Sequence, residues 1–285
     1  MLRNPVVTCL VAAMSAAPAC LPAATSEAEP EPEPAHEPTS TRGDGNGSPL
    51  AARRLPTLIQ TGRGAALRLR AGVGTALELQ LDPQVGFDSS SRDSALASMN
   101  VGRFVARIPG GKQISLASDE LQRTGRASFS VDRPGAAMVM LCVGPDGADA
   151  SDAWQRVTHC AKTIYRVDGA DGARPSEYED PGILSKTGIP LEILPIMSPL
   201  HVRPGSDMGV RAYLFGHAGP DRRVVALRPD GSRDVQTTNR VGLANFRITQ
   251  PGPWVIRVEA DHQGRHVIGE LVFAVEAPPS PKDAG

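Results

Sequence analysis

Between Gly188 and Glu276 apolar and polar residues alternate in short runs: Pro190–Ile196, Met208–Phe215, Arg223–Arg228, Leu243–Thr249, Pro253–Ala260 and His266–Glu276. Turn residues cut them apart, among them Arg203-Pro204-Gly205, Pro229-Asp230-Gly231, Pro251-Gly252 and Gln263-Gly264. Side chains along a strand point alternately to its two faces, so a period of two predicts strands with one buried face. Such runs between such breakers predict an antiparallel immunoglobulin-like sandwich. Ala244, Phe246 and Ile248 form one inward face, Trp254, Ile256 and Val258 a second, and Val267, Leu271, Phe273 and Val275 a third. Arg257 and Glu259 fall on the opposite, outward face. Phe246, Trp254, Ile256, Leu271 and Phe273 are the expected core, and Asp261–Gly264 suits a four-residue hairpin connector.

Residues 51–170 read as a second, sandwich-like β-domain. Ala65, Leu67, Leu69 and Ala71 alternate with Arg68 and Arg70, and Leu77, Leu79 and Leu81 alternate with Glu78 and Gln80. Gly72-Val73-Gly74 between them predicts a hairpin. Further strands are expected at Arg103–Ile108, Gln113–Ala117, Ala127–Val131, Ala136–Val143 and His159–Val167. Asp82–Ser98 is expected to be a loop with a helical turn in Ser94–Met99. Residues 171–187, rich in Gly, Pro, Asp and Glu, read as the linker to the C-terminal domain at 188–276, with 277–285 a tail. The expected fold class is therefore all-β, two tandem immunoglobulin-like β-sandwich domains.

The first residues follow another pattern. Arg3, a short apolar run over Val6–Met14 and the small residues Ala17-Pro18-Ala19 make residues 1–19 a signal peptide of the lipoprotein type. Cys20 follows at the position where a bacterial lipoprotein carries its lipid, although the segment lacks the usual Leu three residues before it. Ordinary cleavage without lipidation, either here or after Ala24, is the alternative. Residues 20–50 hold five Glu, repeated Glu-Pro and Gly43-Asp44-Gly45-Asn46-Gly47. With almost nothing apolar to bury, they read as a disordered tether.

Composition adds few constraints. The 29 Gly and 26 Pro suit strands and turns, and a net charge of −1 gives no basic stripe, so nucleic acid is not an expected partner. Four cysteines occur. Cys9 lies in the leader and Cys20 at its end, which leaves Cys142 and Cys160. In an exported protein these are expected to form a disulfide across a hairpin centred near Ser151; two separate buried thiols are the alternative.

Candidate chemistry is sparse. His262 and His266 stand four apart across a hairpin tip, where no helix places both on one face as a His-x3-His metal site requires. Asp146, Asp149 and Asp152 lack the spacing of a calcium loop. Glu177, Glu179 and Asp180 read as solvated linker. No Gly-x-Ser-x-Gly, His-Glu-x-x-His or phosphate-cradling loop occurs. Lys162 shares parity with Cys160 and Ile164, so it points inward, where an ammonium needs a partner. A structural ion pair is the expectation for it, and a catalytic or ligand role the alternative. No catalytic, cofactor-binding or metal-ligating residue is assigned, and no cofactor is expected.

Several features then line up in order. Ala161-Lys162-Thr163 in a strand precedes Gly188-Ile189-Pro190-Leu191-Glu192-Ile193-Leu194-Pro195, Ser198-Pro199-Leu200 and Arg203-Pro204-Gly205. A Val-Arg-Ala-Tyr-Leu strand at 210–214, Gly242–Ile248, Pro251–Trp254 and a closing Leu271-Val272-Phe273 follow. This order resembles the envelope family catalogued as domain-of-unknown-function 4198, over about 160–276 and before that only by general shape. Its members are often labelled as nickel- or cobalt-uptake-associated periplasmic proteins. The resemblance implies histidine near the start of the mature chain. Here only His36 precedes the folded part, inside the tether, so no metal ligand is carried over. The expected function is a non-enzymatic cell-envelope lipoprotein acting as a binding or scaffolding module. Its expected partners are the membrane, through a lipid at Cys20, and an unidentified envelope protein or small ligand. The alternative is an accessory component of nickel or cobalt uptake that binds metal transiently.

Overall fold

The computed structural model describes residues 69–81, 100–144, 159–171, 181–263 and 265–278. The expected leader, the tether with His36, Cys20, the Asp82–Ser98 loop, the acidic groups at 146–152 and 177–180 and most of the tail lie outside them.

Every residue of two long strands, β6 (Gly135–Gly144) and β7 (His159–Asp168), is buried. β6 reads as an unbroken apolar run because both of its faces are covered, whereas β7 carries Lys162, Arg166 and Asp168 into the same buried layer. Antiparallel β3 (Asn100–Arg107) lies beside β6, and β4 (Gln113–Ser115) beside β3. On the other edge of β7 two strands follow one another in parallel. β15 (Arg265–Val275) runs from Ile268 opposite His159 to Val272 opposite Thr163, and β1 (Arg70–Gly72) takes over opposite Arg166–Asp168. Beyond β15 come β14 (Gly252–His262), β11 (Arg223–Leu227) and β12 (Arg233–Thr237), all antiparallel. The result is one nine-stranded sheet that runs through both expected domains.

Smaller layers cover the two faces of that sheet. A four-stranded sheet is built on β9 (Asp207–Leu214), with β8 (Leu191–Pro195) on one edge and β13 (Leu243–Arg247) and β10 (His217–Ala218) on the other. Its Ile193, Val210 and Phe246 join Met138, Ile164, Trp254, Ile256, Leu271 and Phe273 in one core. On the opposite face, β2 (Ala76–Gln80) pairs with β5 (Arg126–Ser130), and the helix α1 (Ser118–Thr124) adds Leu121. Leu77, Leu79 and Phe129 there meet Val139, Leu141, Tyr165, Val255 and Val272. Each fully buried Leu, Val or Phe contributes about 1.5–3 kcal/mol of transfer free energy. The chain is thus all-β and sandwich-built, and the five expected core residues are all at most 1% exposed.

Several expectations are corrected. The stretches around Ala71 and Leu77 do not form a hairpin. Val73 N–H donates to Asp168 O (2.9 Å) and Gly74 N–H to Val131 O (2.8 Å), so the turn hands the chain from one sheet to the other. The β14–β15 connector is a two-residue turn, because pairing continues to His262 opposite Arg265 and Gln263 adopts φ 49°. Arg257, expected on an outward face, is 5% exposed, since that face is covered as well. β12 was not expected: most of its residues are exposed, so no apolar parity marks it. The short α1, with Leu121 its one buried residue, left no helical period either.

Gly269 marks where β8 crosses the shared sheet. A Cβ there would strike the Leu191 carbonyl well inside contact distance. Gly269→Ala is expected to lower stability by about 1–3 kcal/mol in urea unfolding. An unchanged midpoint would mean that β8 does not cross at that point.

Candidate functional site

Lys162 sits mid-strand on β7 with Met140 and Leu271 as its lateral neighbours. Its side chain is 0% exposed, and its ammonium lies 2.9 Å from Glu192 Oε1, itself 2% exposed. The same oxygen accepts from Thr187 N–H (2.7 Å) and Thr187 Oγ1 (2.9 Å), and Oε2 accepts from Gly188 N–H (3.2 Å). Burial pushes the Lys162 ammonium below its usual range, and Glu192 offsets part of that. Two arginines of β3 hold the segment that supplies these donors. Arg103 donates to Thr187 O (2.9 Å), and Arg107 to Gly182 O (2.6 Å) and to Ser185 Oγ. The C-terminal part of the expected linker is therefore a strap across the sheet. Ile183 and Ile189 are its buried anchors.

One step along the same face lies the disulfide. β6 and β7 set Cys142 directly opposite Cys160, and the two are bonded. Ile189 of the strap packs on the bridge. The expected pairing therefore stands.

The other face of the sheet carries a second group. His159 Nε2 lies 3.2 Å from Glu270 Oε2, Arg257 Nη1 3.6 Å from Glu270 Oε1, and Arg257 Nε 2.7 Å from Glu259 Oε1. At the seam between β15 and β1, Asp168 holds both Arg70 and Arg166 Nε, the latter at 2.7 Å, and Arg166 also meets Glu276. These groups pair with one another.

His262 and His266 are not brought together. Register places His266 opposite Asp261 and His262 opposite Arg265, so the two imidazoles leave opposite faces of the hairpin. His266 Nδ1 lies 3.0 Å from Asp261 and Nε2 3.4 Å from Glu259, while His262 stacks on Phe215 with ring centroids 4.5 Å apart. Among the described residues no three His, Cys, Asp or Glu side chains are grouped to hold a metal. Glu192 and Glu270 were missed in the sequence. The available signal was a lone carboxylate inside an otherwise apolar run, Leu191–Leu194 and Val267–Phe273 respectively.

Two outcomes test this arrangement. Lys162→Met strands a buried carboxylate and is expected to cost about 3–5 kcal/mol, as is Glu192→Gln for the ammonium, with the double variant losing less than the sum. The folded-state value of Lys162 lies below 10.5, so its protonated form is penalised in the folded chain. The Glu192→Gln deficit should therefore shrink as pH rises toward that value; additive losses, or a deficit that grows with pH, would contradict the pair. In a chain carrying Cys9→Ser and Cys20→Ser, labelling of the denatured, unreduced protein should find no reactive thiol. Two would contradict the bridge.

Among solved structures, fibronectin(III)-like modules of Clostridium thermocellum CbhA are 12% identical over 73% of this chain and 89% of theirs, at TM-score 0.22. A Ca2+-stabilized adhesin with which an Antarctic bacterium binds ice is 11% identical over 74% of this chain and 47% of its own, at 0.24. The mouse nectin-like molecule 4 ectodomain is 11% identical over 79% and 66%, at 0.21. At such scores they bear on neither ligand nor partner. No curated protein matches the sequence. The family described as "Domain of unknown function (DUF4198)" matches residues 65–262, reaching back across the half that had resembled it only in general shape, and the chain belongs to that family.

Proposed function

We propose that the protein is a non-enzymatic cell-envelope lipoprotein that works as a binding or scaffolding module. The observation that carries this reading is where the reactive side chains go. Lys162 is spent on Glu192, Cys142 on Cys160, and His159 and Arg257 on Glu270, all inside the fold. What the sandwich presents outward is loops on a rigid frame, the usual place for recognition. The buried disulfide suits an oxidising compartment, in keeping with export and with a lipid at Cys20. Among the described residues no group of ligands supports the nickel or cobalt reading, and His262 and His266 diverge.

Cell fractionation with an N-terminal mass measurement tests the reading. The wild type should sediment with membranes and carry acyl groups on Cys20, and Cys20→Ser should become soluble or stay unprocessed. A mature chain that starts at Thr25 without acyl groups would overturn the anchor. Equilibrium dialysis of the purified protein against nickel, cobalt and zinc should retain none of them. Stoichiometric nickel or cobalt would favour the uptake role instead.

A further inference from the structure

All three non-glycine residues with left-handed backbone among the described residues, Phe215 (φ 47°), Asp221 (φ 55°) and Gln263 (φ 49°), fall at one end of the C-terminal sandwich. Register shows this. β9 ends at Leu214 opposite the first residue of β8, β11 begins beside the end of β14, and β14 turns into β15 at Gln263. A bulky side chain rarely holds such a backbone, and strain of this kind concentrates where a surface is shaped for binding. Phe215 is the clearest case. Its N–H is fixed by Pro190 O (2.7 Å), its ring stacks on His262, and 42% of it remains exposed.

The charges at this end are one-sided. Lys186 lies 3.8 Å above the Tyr213 ring and donates to Gly216 O (2.9 Å), so its cation is held beside Phe215. Arg222, Arg223 and Arg240 pair with no carboxylate among the described residues, and the Nε of Arg222 is buried without a hydrogen-bond partner. The 238–242 turn packs on the 219–222 turn: Asp221 N–H donates to Thr238 O (3.0 Å) and Thr238 N–H to Arg222 O (2.9 Å). This brings Arg240 alongside Arg222, with Val241 51% exposed next to it. The exposed carboxylates here are Asp221, Glu259 and Asp261; Glu259 is engaged by Arg257 and His266, and Asp261 by His266. Arg70, Arg166, Arg228, Arg247 and Arg257 are matched to acids, and Arg103 and Arg107 to backbone carbonyls. Here three arginines without an acidic partner among the described residues lie near Lys186 and two exposed apolar side chains.

We propose that this loop end is the docking surface for a partner protein, and that the partner presents an acidic segment carrying an aromatic or large apolar side chain. Carboxylates would meet Arg222, Arg223, Arg240 and Lys186, and the apolar group would lie against Phe215 and Val241. Complementary charge sets register and encounter rate, and the buried aromatic contributes most of the affinity. The proposal rests on the reading of the protein as a binding module and names the surface and the class of partner.

Fluorescence anisotropy on the full chain tests it, with a synthetic peptide of alternating Glu and Phe as the probe. An all-Glu peptide, a Lys/Phe peptide and phosphatidylglycerol vesicles serve as comparisons. The Glu/Phe peptide should bind best, and added salt should weaken it. Phe215→Gly removes the ring and also relieves the backbone, so the chain should stay folded while affinity falls about tenfold. Arg223→Ala with Arg240→Ala should lower it about fivefold, in line with two exposed charge pairs. Met197→Ser, at the opposite end of the sandwich, should change nothing. Absent peptide binding, equal binding by the variants, or binding to vesicles in preference to peptide would overturn the proposal. The binding-module reading would survive any of these, because it stands or falls on the fractionation and metal results.

Discussion

A lysine ammonium buried in the middle of a nine-stranded sheet constrains everything near it. Lys162 can stay there only if an anion reaches it, and Glu192 can reach it only if β8 crosses the sheet at that level. The crossing requires Gly269 beneath Leu191. It also requires the 182–188 strap to come down over the carboxylate, because Thr187 and Gly188 supply the remaining donors. Replacing such a pair with apolar residues often stabilises a protein, so its contribution lies less in net free energy than in excluding other registers. A one-residue slip of β8 would leave both charges stranded.

The same strand joins the two halves. β7 takes β6 along one edge through nine register pairs and β15 and β1 along the other, so its backbone groups are divided between N-terminal and C-terminal partners. The disulfide and the ion pair sit two residues apart on this strand and face the same layer. Covalent and ionic constraints thus act on one place, under the strap. With the frame fixed there, the loops at the far end of β9 and β14 are free to differ, and that is where the uncompensated cations and the strained Phe215 lie.

The C-terminal sandwich was legible because apolar residues recur at every second position of its strands. Period-2 alternation survives in Leu243–Arg247 and in the Trp254, Ile256 and Val258 series, and both lie where parity put them. The pairing of Cys142 with Cys160 was legible by subtraction. What was not legible has a common cause: parity says which way a side chain points, not what covers it. Arg257 reads as outward and is buried, because this sheet is covered on both faces. The parallel β7–β15 seam joins residues about a hundred positions apart, and no local pattern encodes such a pairing. Gly72-Val73-Gly74 looked like a hairpin turn because short Gly-rich connections serve equally well to change sheets. The proposed docking end left no motif in the sequence, since its arginines are scattered and only the register of β9, β11 and β14 assembles them.

The central claim is that the seam at β7 makes the two sandwiches one cooperative structure. Native-state hydrogen exchange under increasing denaturant tests it most directly, by comparing core amides of β6 with those of β14. The account predicts that both sets merge into a single global opening with the same free energy and the same denaturant dependence. If β14 amides exchanged through a separate, lower-energy opening while β6 stayed protected, the seam would be a contact between independent domains and the account would be wrong.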